Sequence, residues 1–358
     1  MKGMYDLVVY YIIQEQMDFK EIALELHKNN IVVDSHLDLA GEIYNRNKAG
    51  EKEIIKNYYL ENFKKGGFNL IISSLYIDDL FLPEMALRIA LGQIRALIED
   101  VESCHGQVML VKSREDLNKA VNEDKIGIII SFEGLEPIGS DIGLLRIFYE
   151  LGVRAAGLVW SRRNYVADGC SFSPVEEGQR GGLTKFGVKV VKKMEEMNML
   201  IDVSHLNDEG FMDVLKHTKK PFIASHSNSR TIHGSMRNLS DEHIRAIAER
   251  KGVIGVNAIK SIAGVKDGED PIRKLADHIE YIVDLAGAHH VGYGFDLCNG
   301  YYKSELKYKF ATNNSDSLNS HAEAVLLTEE LLRRGISKED CILIIGGNFL
   351  RIFNNILA

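Results

Sequence analysis

Short β-branched runs alternate with segments of helical apolar spacing along nearly the whole chain, and this alternation restricts the fold more than any other feature. The runs are Ile31–Leu39, Phe68–Ile77, Gly127–Glu136, Val153–Ser161, Leu200–Leu206, Phe222–Asn228, Gly252–Ile259 and His290–Gly300. Between them, Pro83–Cys104, Leu144–Leu151, Thr184–Asn198, Glu209–His217, Asp241–Lys251 and Ile272–Ala286 carry apolar residues at the three- and four-residue spacing of a helix. Two of these open on start signals: Ser240 precedes the acidic turn Asp241-Glu242, and Asp270-Pro271 puts proline at a first helical position. The runs are continuously apolar, as strands are when helices cover both faces of a parallel sheet. Eight such strands predict an α/β fold, a (β/α)8 TIM barrel over residues 31–300. Ser317–Gly335 and Ser337–Ile356 are helical in period and are expected to pack outside it.

The 358 residues suggest two domains at roughly 150 each, but a barrel alone runs past about 250. Five prolines are spread singly with no hinge segment, so a single domain over 1–358 is expected. Lys and Arg number 43 against 51 Asp and Glu, a net charge of −8, which argues against a nucleic-acid partner. The four cysteines form no CxxC pair, excluding a zinc ribbon or disulfide framework and fitting a cytoplasmic location. The apolar run Leu7–Ile13 is too short to cross a membrane and lacks a cleavage site. It reads either as the buried face of a first helix or as sequence ahead of a start at Met17. No stretch reaches about 18 apolar residues, so no membrane partner is expected.

The strand ends carry the chemistry, because the C-terminal ends of barrel strands open onto one face. The first ends His36-Leu37-Asp38, two donors on the same side of an extended chain. The third ends at Glu133, which taken alone reads equally as a carboxylate bonded to nearby amides. The fifth and sixth end Ser204-His205 and Ser225-His226, and the eighth ends at Asp296. Three histidines and these acids on one rim point to a metal site. Imidazole and carboxylate donors suit Zn2+, with Mn2+ or Fe2+ as substitutes, and five ligands exceed what one catalytic zinc needs. Two ions about 3.5–4 Å apart, bridged by Glu133 and a water, would use them all and would supply a hydroxide nucleophile near neutral pH.

The combined set of His36-x-Asp38, Ser131-Phe132-Glu133-Gly134, Asp202-Val203-Ser204-His205, Ser225-His226-Ser227, Arg237-Asn238, Gly294-Phe295-Asp296 and Gly346-Gly347-Asn348-Phe349 resembles the membrane (renal) dipeptidase family of zinc metallopeptidases, from about residue 31 to 353. The resemblance implies a barrel with two zinc ions: His36 and Asp38 on one, His205 and His226 on the other, Glu133 bridging. It implies Asp296 as general acid/base and Arg237, eleven residues beyond His226, as the anchor of a substrate carboxylate; read alone, Arg237 is a surface cation pairing with Asp241. Where animal members carry a substrate-binding histidine, this chain has Trp160, as bacterial relatives do, which bears on substrate orientation and marks Trp160 as a substrate-binding candidate. Arg162, Arg163, Asn164 and Tyr165 follow on the same loop, either at the substrate or as exposed polar residues. The implied substrate is a dipeptide, including those with a C-terminal D-residue, and barrels of the family often pair, implying a homodimer. Trp160 keeps open a related amide or lactone hydrolase with another substrate. A non-catalytic metal- or peptide-binding barrel would be marked by loss of a ligand or of Asp296, and neither is lost.

Overall fold

The computed structural model describes residues 19–171, 178–304 and 315–357; the apolar run 7–13 and the alternative start at Met17 lie outside the described residues. Its strands are β1 Val32–Leu37, β2 Phe68–Tyr76, β3 Val108–Leu110, β4 Ile126–Glu133, β5 Val153–Gly157, β6 Leu200–Asp202, β7 Ile254–Val256 and β8 Val291–Tyr293. Every ladder is parallel, in the order β1-β2-β4-β5-β6, with β7 and β8 paired separately. Residues 223 and 224 join the two groups through parallel bridges, Asp202 to Ile223 and Ala224 to Ile254. The other seam closes where the Asp296 amide donates to the His36 carbonyl at 3.1 Å and the Phe295 amide to Asp34 Oδ1 at 2.9 Å. Eight staves therefore close into a (β/α)8 barrel, with further helices at both ends of the chain.

Two strands differ from the sequence expectation. The run Phe222–Asn228 is a stave of isolated bridges, because the Ser225 amide donates at 2.8 Å to the Asp202 carboxylate instead of to a backbone carbonyl. Strand β3, absent from the expectation, is only three residues, too short for its period to show. It pairs with the start of β4, Val108 opposite Ile126, whereas β5 pairs from Ile130 onward.

The helices follow their signals. Ser240 accepts from the His243 amide, and Asp270 from the Ile272 amide with proline in the first turn. The expected helix from Ser317 forms over Ala324–Arg333, and Ser337–Ile356 is helical throughout, with a π-turn at Leu343–Gly347.

The barrel interior holds Val33, Leu70, Ile72, Ile129, Ala155, Leu200, Ile223 and Val253 in one buried cluster with Phe349, Ile352, Phe353 and Leu357. The last four belong to the C-terminal helix Asn348–Ile356 and its end. Asn348 Nδ2 donates to the carbonyls of Ala288 (2.7 Å) and Val291 (2.9 Å), where β8 begins, so this helix plugs the barrel end opposite the strand C-termini. Higher in the barrel, Ser35 Oγ lies within hydrogen-bond distance of the Ser225 carbonyl (2.6 Å) and the Tyr293 carbonyl (2.9 Å). Gly255 and Gly294 face this crossing, and a Cβ on either would overlap the Ser225 carbonyl oxygen.

Candidate metal centre and active-site cavity

The strand ends bring His36, Asp38, Glu133, His205, His226 and Asp296 together at one mouth of the barrel, all of them buried. Asp38 occupies the N-cap position of the helix Leu39–Lys48, yet its carboxylate makes no cap bond. It accepts instead from Ser74 Oγ at 2.6 Å. His205 and Asp296 have positive φ, 69° and 57°. A non-glycine residue adopts such a backbone only when its surroundings impose it, and at these two positions it turns a side chain toward the centre.

Glu133 stands in the middle. Its Oε1 is 2.9 Å from His205 Nε2, 3.5 Å from His226 Nε2 and 3.7 Å from His36 Nε2. His205 and His226 face each other Nε2 to Nε2 at 3.0 Å. His36 Nε2 lies 3.9 Å from Asp38 Oδ1 and 3.8 Å from Asp296 Oδ1. Donor atoms of His36, Glu133 and His226 form one set able to hold an ion, and those of His36, Asp38 and Asp296 another.

The outer partners set the tautomers. Ser225 Oγ sits 2.7 Å from His226 Nδ1 and donates to Asp202 Oδ2 at 2.5 Å. With its one proton given to Asp202, Ser225 accepts from Nδ1–H, leaving His226 Nε2 a bare lone pair facing Glu133. Ser161 Oγ, 2.8 Å from His205 Nδ1, stands in the equivalent place for His205. Ser204, the neighbour of His205 in sequence, bonds elsewhere: its Oγ accepts from the His226 amide at 3.2 Å.

Burial, then the Arg237 charge, pushes the His36 imidazole down to about 3. His205 and His226 are held well below the usual range, first by burial. Burial raises Asp38 to about 6, and raises Glu133 and Asp296 well above the carboxylate range, with neighbouring carboxylates adding to it. Neutral imidazoles and crowded buried acids form a donor set short of positive charge. His36 Nε2, a buried nitrogen without a hydrogen-bond partner, is what a ligand atom is without its ion. The residues therefore fit divalent metal, and their nitrogen and oxygen donors suit Zn2+, Mn2+ or Fe2+.

Above the cluster lies a cavity of about 270 Å³ whose floor includes Asp38, Glu133, His205 and Asp296. That volume suits a small molecule better than an extended chain. Trp160 lines it, its ring centre 5.8 Å from that of His205. Asn257 Nδ2 donates to Asp296 Oδ2 at 2.9 Å, and Cys298 Sγ lies 3.2 Å from Oδ1.

Arg237 is buried and does not pair with Asp241. Its Nη1 donates to Ser227 Oγ and its Nη2 to the His226 carbonyl, both at 2.8 Å, leaving Nε as its one nitrogen without a partner. Thus the fork expected at a substrate carboxylate is engaged by the protein itself. The residues after Trp160 brace their own loop: Arg162 bonds Glu136 and the Ile77 carbonyl, Arg163 grips Asp168, and Asn164 bonds the Leu158 carbonyl. None of these, nor Tyr165, lines the cavity. Ser161, Ser74, Asp202 and Asn257 are the partners sequence does not reveal; the Ser-His pair at 225–226 is the one visible signal.

Known proteins resemble this chain in sequence and fold. Dipeptidase 3 of Rattus norvegicus is 29% identical over 357 residues, 94% of this chain and 67% of the rat protein. Dipeptidase aclJ of Aspergillus oryzae is 30% identical over 233 residues, 65% of this chain and 52% of the fungal one, so the chain spans about half to two thirds of these relatives. A metallopeptidase of Rhodobacter sphaeroides, solved with a phosphinate mimic of the dipeptide L-Ala-D-Ala, shares the fold with a TM-score of 0.78 at 24% identity, over 90% of this chain and 99% of that one. The family model described as membrane dipeptidase, peptidase family M19, matches residues 20–357. Matched over almost its full length, this chain belongs to the membrane dipeptidase family.

Proposed function

We propose that the chain is a metallo-dipeptidase that holds two divalent ions, zinc by preference, and hydrolyses the single peptide bond of a dipeptide, C-terminal D-residues included. The observation that carries this is the convergence of His36, His205 and His226 with Asp38, Glu133 and Asp296 at one barrel mouth, beneath a small cavity floored by Asp38, Glu133, His205 and Asp296. In this reading His36 and Asp38 would hold one ion and His205 and His226 the other, with Glu133 serving both. Ions held there would make a water acidic near neutral pH and polarise a carbonyl.

The chain's own residues do the rest. Asp296 Oδ1 takes the proton of the attacking water and delivers it to the leaving amine, while Asn257 holds Oδ2 away from that traffic. Asp202 and Ser225 keep the His226 proton on Nδ1 throughout. Arg237, buried beside the His226 carbonyl with both Nη groups engaged, does not line the cavity, so in this reading it would reach the substrate's terminal carboxylate only through its unpartnered Nε. Among the described residues no helix is long and apolar enough to cross a membrane. The four cysteines, all buried and unpaired, support a reducing, cytoplasmic setting.

Elemental analysis of the purified protein, with hydrolysis assays on L-L and L-D dipeptides, tests the reading. Asp296→Asn is expected to keep its metal and lose about 10²–10⁴-fold in kcat. Near-normal turnover by that variant removes Asp296 from its role, and no turnover of any dipeptide by metal-loaded protein removes the dipeptidase reading.

A further inference from the structure

Resting on the dipeptidase reading, we infer that the cavity selects substrates whose N-terminal residue bears a bulky apolar or aromatic side chain, and that Trp160 is the residue that selects it. The wall above the metal ligands is a continuous chain of aromatic rings. Trp160 meets Tyr76 at a centroid distance of 5.4 Å, Tyr76 meets Tyr301 edge-on at 6.1 Å, and Tyr301 meets Tyr302 edge-on at 6.3 Å. Ile259 and Ile262 continue the apolar lining. Arg162, tied to Glu136 and the Ile77 carbonyl, holds its guanidinium carbon 5.2 Å from the Trp160 ring centre and 5.6 Å from that of Tyr76, so the rings are fixed from within the protein. An apolar side chain placed here gains contact area without having to order the rings first.

The charges lining the same cavity argue for the same substrate class. Besides the site acids Asp38, Glu133 and Asp296, the lining includes Asp78, and among the described residues no Lys or Arg lines it. Away from the metal ligands, an acidic side chain would lie against the rings and Asp78, with no Lys or Arg side chain among the lining residues to meet it. In the dipeptidase reading, two lining residues meet different halves of a dipeptide. Asp296, which protonates the leaving nitrogen, adjoins the C-terminal residue. Trp160 adjoins His205, 2.9 Å from the central Glu133, and so faces the residue that contributes the scissile carbonyl.

Trp160 is the only tryptophan in the chain, so its emission reports directly on occupancy. The test titrates metal-loaded protein with non-hydrolysable phosphinate analogues of Phe-Gly, Gly-Phe, Gly-Gly and Glu-Gly, following that emission and, for Trp160→Ala, heat of binding. The Phe-Gly analogue is expected to bind at least about tenfold tighter than those of Gly-Gly and Glu-Gly and to shift the emission. Trp160→Ala is expected to weaken the Phe-Gly analogue by about tenfold or more and the Gly-Gly analogue by much less. With true dipeptides the same contrast should fall mainly in KM. Equal or tighter binding of the Glu-Gly analogue, a preference confined to Gly-Phe, or a preference unchanged in Trp160→Ala would each overturn the inference. Because binding is read without turnover, failure to hydrolyse any dipeptide counts against the dipeptidase reading alone.

Discussion

Ser225 and Ser161 each aim an imidazole at the same glutamate, and neither is a ligand itself. Ser225→Ala removes the acceptor of His226 Nδ1–H and takes the hydroxyl donor from Asp202 Oδ2, so metal affinity should fall about 10–100-fold in a chelator competition, with the fold intact by circular dichroism. The ligands are also proton-linked. Asp38 at about 6 and the raised Glu133 and Asp296 hold protons in the metal-free protein that the metal must displace. Metal uptake at pH 6 should therefore release protons into a weakly buffered solution, and affinity should climb with pH; uptake without proton release would contradict this. At this scale the rim residues are legible in sequence because each breaks an otherwise apolar strand. Their partners are not, since Ser161 meets His205 across 44 residues of chain. Ser204, which looks like the partner of His205, bonds elsewhere.

Whole strands were legible where an apolar run is long, as in β2 and β4, and blurred where side chains replace ladder rungs. Asp202 accepts from the amides of Ser204 (2.9 Å) and Ser225 (2.8 Å), and Asp34 from that of Phe295 (2.9 Å). Periodicity cannot register a carboxylate standing in for a carbonyl, which is why the sixth stave reads as a strand and forms as bridges. The staves also meet tightly where Ser35 spans the barrel. Gly294→Ala puts a methyl into the Ser225 carbonyl oxygen, backbone that cannot step aside, and should cost on the order of 3 kcal/mol or more. A melting temperature within about 2 °C of the parent's would show that the barrel gives way more easily than its packing implies.

For the molecule as a whole, acid stability follows its buried histidines. His27 bridges the Gly66 carbonyl (2.7 Å) and Thr328 Oγ1 (2.6 Å), tying the helix over 19–29 to the helix Ala324–Arg333. Burial pushes His27 and His278 each down to about 4 from an ordinary 6.5. The folded state keeps them neutral while the unfolded chain takes up protons, so stability is lost as pH falls from about 6.5 toward 4, by roughly 3 kcal/mol for each. His27→Gln should flatten that acid limb in melts across pH 4–7; an unchanged slope would assign the loss elsewhere.

The plug at the base of the barrel has a consequence for synthesis. Phe349, Ile352, Phe353 and Leu357 complete the cluster that contains Val33 and Leu70, residues made about 280 or more positions earlier. Every stave leaves the ribosome before the group that dries the barrel's interior, so an unfinished chain presents an apolar lumen open at its base. The nascent barrel is thus prone to aggregate until its last helix arrives.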